Sequence, residues 1–383
     1  MQGADGVQLE WNPLAVSELP SFVYNRARGH PNAARVLLAK TAFVCRQRLE
    51  TPVIYFHSDR PRTIDVSVRF PGGTMTEWFP RDTPAAKGAR LVPALHWPKV
   101  SIIPRETNAA DRLAALLPRE SRGSHYYAAR EADADFLQVA DANGKLETEK
   151  FLFYRGIGNF EAPLKVTLPG KDAGVVGLRN TGAHELRHLF LTRVHEGLLT
   201  FSALPPLAPG ASIQATVDSS PEDGRAPLAA QLRSALVASG LFASEAAAMV
   251  KTWEDSWLAE SGIRVLYVLP TAWADAILPL KIEPAPKAIA RVMVGRAEIL
   301  TPTQEIALAA ELQRFATGDE STRADALAKG RALGLGRFLE AATRRVVAAH
   351  PQDKALASAT WAFLEAATAP DRPLKTAQAK IGR

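Results

Sequence analysis

The stretch Val175-Val-Gly-Leu-Arg-Asn180-Thr-Gly-Ala-His184-Glu-Leu-Arg-His188-Leu-Phe-Leu-Thr-Arg-Val-His195-Glu-Gly-Leu-Leu-Thr-Phe-Ser-Ala-Leu204 supports two incompatible readings. Wound as a helix from 183 to 196, it brings His184 and His188 onto one face, where two imidazoles share a zinc ion and Glu185 polarises a bound water. His195 then lies near the same face as a third ligand. Laid out as strands, it alternates: Phe190 and Val194 oppose Leu189 and Leu191, between runs at Val175–Leu178 and Leu198–Leu204. A hairpin turning at Asn180-Thr-Gly182 accounts for the segment without a metal. Nor is the longer His-x-x-Gly-x-x-His extension present. The two-residue rhythm is preferred, and zinc hydrolysis or peptidase chemistry through Glu185 is the alternative.

The same rhythm governs the residues upstream. Ile64, Val66, Val68 and Phe70 share one face of Thr63–Phe70; Pro71-Gly72-Gly73 closes that strand, and Met75–Phe79 begins the next, as a hairpin. Short strands are expected at Arg90–Trp97, Val100–Ile103, Ser124–Arg130, Phe136–Val139, Phe151–Tyr154 and Leu164–Leu168, with a turn at Asp141-Ala-Asn143-Gly144. Leu207–Val217 reads as a closing strand pair. Strands every ten residues or so, punctuated by Gly and Pro, point to packed antiparallel sheets. Arg35–Arg48 and Asp111–Leu117 read as helices.

Ser219–Pro227, dense in Ser, Pro, Asp and Gly, is the linker candidate, and beyond it the period becomes helical. Helices are expected over Leu228–Ser239, from Ser244 to about Glu260, and over 302–316, 322–333, 335–349 and 353–367. Thr301-Pro302-Thr303-Gln304 starts the third of these. Met249, Trp253 and Trp257 recur every four residues and mark a buried helical stripe. Strands at Ile263–Leu269 and within Ile289–Leu300 suggest that the back half adds to the front sheets. The expected class is α+β, an antiparallel β-sandwich-like N-terminal part followed by a mostly α-helical C-terminal part. Its segments are 1–48, 49–218, 228–370 and a tail, 371–383.

Composition narrows the function classes. The 383 residues are 47% hydrophobic and 22% charged, with a net charge of +6, a globular balance. Cations lie scattered among acids, densest only at Arg372, Lys375, Lys380 and Arg383, so no nucleic-acid footprint emerges. Cys45 is the single cysteine, which excludes an intrachain disulfide and any cysteine-built zinc or iron–sulfur site. No apolar run has the length of a membrane span. The first residues lack a secretory signal, so a cytoplasmic location is expected for this start, and an exported one if the start has been trimmed.

Other chemical fingerprints are missing: no Gly-x-Ser-x-Gly elbow, no Gly-Lys-Ser/Thr phosphate loop, and only incomplete glycine pairs at Gly156-Ile-Gly158 and Gly334-Leu-Gly336. His57-Ser-Asp59-Arg60 and Ser124-His125-Tyr126-Tyr127 place polar groups at strand ends. Trp78, Trp97, Tyr126 and Tyr127 are candidates for a sugar-stacking surface.

Five phrases, Leu49-Glu-Thr-Pro-Val-Ile-Tyr-Phe56, Thr76-Glu-Trp-Phe-Pro80, Lys150-Phe-Leu-Phe-Tyr-Arg-Gly156, Met249-Val-Lys-Thr-Trp253 and Arg291-Val-Met-Val-Gly-Arg296, together resemble a family of uncharacterised bacterial proteins, often with a predicted export signal. The resemblance spans about 49 to 340. It implies no activity, cofactor or catalytic residue, and it places His184–His188 in a strand-rich region. The expectation is therefore a non-catalytic binding or interaction protein with a protein or glycan ligand, no cofactor, no nucleic-acid partner and no membrane span. Zinc held by His184, His188 and His195 belongs to the hydrolase alternative.

Overall fold

Alternation along Arg62–Arg69 buries Ile64, Val66 and Val68 on one side, and most of the first 217 residues follow the same logic. A computed structural model describes residues 1–10, 19–25, 45–50, 52–82, 93–121, 123–141, 143–170, 174–217 and 221–368. The chain divides into two compact units, Met1–Thr301 and Pro302–Arg383. It is an α+β protein with antiparallel sheets, and its helices lie mainly in the C-terminal half.

In the first unit, β1 (Tyr24–Asn25), β2 (Gln47–Leu49), β3 (Val53–Ile54), β4 (Arg62–Arg69), β5 (Gly73–Phe79) and β6 (Ala94–Ile103) lead to helix α1 (Ala110–Ala115). There follow β7 (Phe136–Ala140), β8 (Leu146–Glu149), β9 (Leu152–Gly158), β10 (Leu164–Thr167), β11 (Val175–Asn180), β12 (Arg187–His195), β13 (Leu198–Leu204) and β14 (Ser212–Thr216). Helices α2 (Arg225–Ala238) and α3 (Ala243–Glu254), strand β15 (Gly262–Leu269), helix α4 (Thr271–Ile277), β16 (Leu280–Glu283) and β17 (Met293–Ile299) complete it.

Among the described residues the strands make four sheets. One has the order β1-β5-β9-β2, with β3 also on β9, and a second runs β16-β4-β6-β7-β8. These two share an apolar core of Val66, Val68, Phe70, Trp97, Leu137, Met75, Leu152 and Tyr154, a β-sandwich. The third sheet, β10-β11-β14, packs on the fourth, β13-β12-β15-β17, through Val166, Leu178, Leu189, Leu191, Val265 and Tyr267. The opposite face of the fourth sheet carries α2 and α3, where Phe190, Val194, Leu199 and Leu266 meet Leu228, Leu232, Leu236 and Trp257. Met249 and Trp253 pack beside them, as the four-residue stripe anticipates.

Both expected hairpins are corrected. The strands at Thr63–Phe70 and Met75–Phe79 exist, but β4 pairs β6 and β16, whereas β5 pairs β1 and β9. Between them the chain crosses from one layer of the sandwich to the other. Phe70 spans the gap, its ring lying over Gly73, Gly156 and Gly158, where no Cβ fits. Likewise β11 pairs β10 and β14, and β12 pairs β13 and β15, so Asn180-Thr-Gly182 starts a crossing between sheets. Leu207–Val217 is no strand pair of its own: β14 pairs β11, and Leu207 bridges Leu186.

Ser124–Arg130, read as a strand, is a 3₁₀ helix over His125–Glu131, and the Ser124 hydroxyl accepts a hydrogen bond from the Tyr126 amide at its start. The expected Arg35–Arg48 helix lies outside the described residues up to 44, and Gln47–Leu49 is a strand against β9. The linker expected at 219–227 is not a unit boundary, since β15 and β17 complete the sheet that β12 and β13 begin. Strand β16 likewise returns to the first sandwich to pair with β4.

The second unit holds helices α5 (Pro302–Thr317), α6 (Glu320–Ala332), α7 (Leu339–Ala349) and α8 (Lys354–Thr368), close to the four expected spans. Leu308, Leu312, Ala326, Phe338, Val346 and Phe363 are buried within it, and Phe363 meets Phe315 edge-on at 5.3 Å. The tail beyond 368 lies outside the described residues. Among the described residues no helix is long and apolar enough to cross a membrane.

Candidate functional site

Asn180 organises the crossing that carries His184 and Glu185. It is fully buried, its side-chain amide donates to the carbonyls of His184 and Leu207 (2.8 Å each), and its side-chain oxygen accepts from the Gly182 amide at 2.9 Å. His184 and Glu185 are left exposed, with Glu185 ion-paired to Arg187. His188 follows at an irregularity in the β12–β15 register, with a backbone φ of +51° that a non-glycine residue adopts only at a cost.

This geometry corrects the metal expectation. The i, i+4 spacing gathers imidazoles only on a helix, and here the motif is a loop followed by a strand. His188 and His195 stand near opposite ends of β12, on the order of 20 Å apart at strand rise. Among the described residues no group of three or more His, Cys, Asp or Glu side chains is placed to hold a metal ion.

His188 opens onto a cleft of about 570 Å³ between the start of β12, the end of β13 and helix α2. Leu189, Phe190 and Ala235 form its buried floor, with Leu204 half-buried beside them. Arg187, His188, Gln231 and Ser234 stand at its rim. The cleft exists because of side-chain size. Leu228, Leu232 and Leu236 hold α2 to the sheet, while the face turned to the opening carries Ala230, Ser234 and Ala238, opposite Ala203. Small residues on both walls leave the space unfilled.

The same cleft borders a sheet edge. Glu196 and Gly197, both at positive φ (+49° and +78°), form the two-residue turn joining β12 to β13, and the register runs from His195–Leu198 to Leu189–Leu204. Among the described residues, β13 has a strand neighbour on one side only. Its Leu199 amide donates to the Asp223 carboxylate (3.2 Å) and its Leu199 carbonyl accepts from Gly224 (2.8 Å), so Leu199 faces away from β12. Strand alternation then turns the N–H and C=O of Phe201 and Ala203 outward as well. Pro205, which has no N–H, follows. Leu198–Leu204 contains no charged residue and no proline.

A buried ionic cluster fixes this sheet to the helix layer. Arg264 on β15 donates to both oxygens of Glu298 on β17 (2.9 and 3.2 Å) and to the carbonyls of Trp257, Glu260 and Ser261, at the end of the turn that follows α3. Burial by itself raises the Glu298 pKa, yet Arg296 and Arg264 outweigh it and hold the carboxyl below its ordinary 4.5.

The expected aromatic surface is corrected too. Trp97 is wholly buried in the sandwich core, with its indole N–H donating to the Pro80 carbonyl at 2.8 Å. Tyr126 is also wholly buried; its hydroxyl donates to Glu149 at 3.0 Å, and Arg130 covers its ring. Burial first, then Glu149, raises the Tyr126 pKa well above 10.0. Trp78 stacks on Tyr24, and the Tyr127 hydroxyl accepts from the Glu120 amide. The four rings serve packing, and they present no shared open face.

The polar strand ends are bonded into the fold. His57 Nε2 lies 2.8 Å from Glu245 on α3, Asp59 pairs with Arg62, and the Ser58 amide donates to Asp135. Of the expected site residues, only His188 lines the cleft. Phe201, Ala203, Ala230 and Ser234 were missed; their signal is a charge-free strand after a Glu-Gly turn, followed by a helix with small residues every four positions. Comparison with protein-family models, with curated proteins and with solved structures finds no match for this chain.

Proposed function

We propose that the Met1–Thr301 unit is a binding module that takes an extended polypeptide segment along β13, with one apolar side chain entering the adjoining cleft. The observation that carries this reading is the outward-facing Phe201 and Ala203 backbone of an uncharged edge strand beside an apolar cleft. Natural sheet edges are guarded by charge, proline or a covering element, because an open edge is a template for another strand. Among the described residues no backbone group pairs with the outward groups of Phe201 and Ala203. Strand addition draws affinity from main-chain hydrogen bonds and selectivity from a side-chain pocket, and both features adjoin here. Rim groups on Arg187, Gln231 and Ser234 supply further donors.

A phage-displayed heptapeptide library panned on the full chain tests the reading. Enrichment of extended sequences with an apolar anchor is expected, and it should disappear on protein carrying Ala203→Pro, which removes an outward N–H, or Ser234→Phe, which fills the cleft. Absence of enrichment, or equal enrichment on all three proteins, overturns it.

A further inference from the structure

Between the pairs Arg187–Val268 and Phe190–Leu266, β12 takes three residue steps where β15 takes two. In a regular strand Arg187 and Phe190 would lie on opposite faces, since side chains alternate. The extra residue, marked by the positive φ of His188, returns both to the side on which α2 packs, where Phe190 shares a core with Leu228 and Leu232. Bulges of this kind re-aim side chains next to functional sites. Here the result is two consecutive residues, Arg187 and His188, at the mouth of one cleft. Regular pairing would have sent one of them to the other face of the sheet.

These two side chains bring donors that the fold does not use. Arg187 Nε is taken by Glu185, but the two Nη groups and the His188 imidazole make no hydrogen bond among the described residues. None of the residues lining the cleft is acidic. Glu185 offsets the charge of Arg187, so the mouth presents a fork of N–H groups more than a net positive field. A carboxylate, with two oxygens in one plane, matches such a fork. The imidazole has an N–H to give in either charge state. Directly below lies the apolar floor of Phe190 and Ala235. The arrangement suits a carboxylate a few bonds away from an apolar group.

Resting on the reading that the cleft takes one apolar side chain of a polypeptide, we propose that this side chain belongs to the last residue of the partner chain, whose terminal carboxylate is held by Arg187 and His188. A terminal residue carries its carboxylate and its side chain on the same carbon, so one residue fills mouth and floor together. An internal aspartate or glutamate spends its side chain on the charge and brings nothing apolar to the floor. Capture of a terminal carboxylate by convergent donors is a general mode of peptide recognition. Such a chain end requires no main-chain bond from β13. Gln231, whose side-chain amide makes no hydrogen bond among the described residues, stands at the same rim to bond the last peptide group.

Fluorescence anisotropy tests this, with the full chain and pentapeptides carrying fluorescein at the N-terminus and ending in leucine, isoleucine, valine or phenylalanine. Each peptide is made as the free acid and as the terminal amide. At least one free acid is expected to bind about tenfold or more tighter than its amide, because charge-assisted hydrogen bonds are lost with the carboxylate. Arg187→Gln should bring acid and amide to equal affinity. The substitution spares the fold, since Arg187 is exposed and pairs only with the exposed Glu185. Ser234→Phe should abolish the binding of both forms. Acid and amide binding alike to the wild type, or an acid preference that survives Arg187→Gln, overturns the proposal and leaves the cleft reading standing. Displacement by decanoate as complete as by unlabelled peptide overturns it in favour of a free aliphatic acid. Binding by none of the peptides also overturns it, and if the phage library yields nothing either, the reading beneath it falls too.

Discussion

His188 holds a left-handed backbone that costs an L-residue roughly 1–2 kcal/mol, at the point where β12 departs from regular pairing with β15. Glycine adopts that conformation freely but loses more chain entropy on folding, a cost of roughly 0.5–1 kcal/mol. His188→Gly is therefore expected to stabilise the first unit by about 0.5–1 kcal/mol, and His188→Val to destabilise it by more than about 1 kcal/mol. Urea midpoints of the two variants measure the difference; a Gly variant less stable than wild type contradicts the account. The strain was not legible in the sequence. His-Glu-x-x-His advertises a helix by spacing, and nothing in those five letters announces that Asn180 ties the loop carbonyls down and that Leu186 bridges Leu207.

Elements are joined here by a few buried polar groups as well as by apolar faces. Arg264, wholly buried, binds three carbonyls at the end of the α3 segment and the Glu298 carboxylate one strand away. Removing one partner of such a pair leaves the other charge buried and uncompensated, at a cost of about 3–5 kcal/mol. Glu298→Gln is expected to lose about 3 kcal/mol of stability at neutral pH. Because the folded pKa of Glu298 is depressed, its stabilisation is present above the ordinary 4.5 and is lost as pH falls below that value through the folded one. The deficit of Glu298→Gln against wild type should therefore shrink in acid. Denaturant titrations at both ends of that range test it, and a deficit that stays constant contradicts the linkage. At this scale the sequence was informative about the helix that bears Met249, Trp253 and Trp257, whose stripe does face the sheet. It was silent about α4 and about β16, too short for their periods to stand out.

Each unit of the molecule has a core of its own. Unit one buries its sandwich and sheet–helix clusters, and unit two buries Leu308, Leu312, Val346 and Phe363. Two cores give calorimetry two transitions to resolve. Phe363→Ala, which opens a cavity against Phe315 and Gly330, is expected to cost about 3–5 kcal/mol and to lower one transition while the other holds its temperature. A single transition that moves as a whole contradicts this division.

From the letters alone, the alternation of Ile64, Val66 and Val68, the strand rhythm across Val175–Leu204 and the helical spans after Pro302 could be read, because side-chain polarity reports which face of a local element meets water. Partners could not. Backbone hydrogen bonds between strands are blind to side-chain identity, so β4 beside β5, or β11 beside β12, looks like a hairpin until distant segments such as β15, β16 and β17 claim the edges. The cleft and the outer position of β13 arise from that long-range choice. They are made by what Ala203, Ala230, Ser234 and Ala238 leave empty once the sheet and α2 have come together.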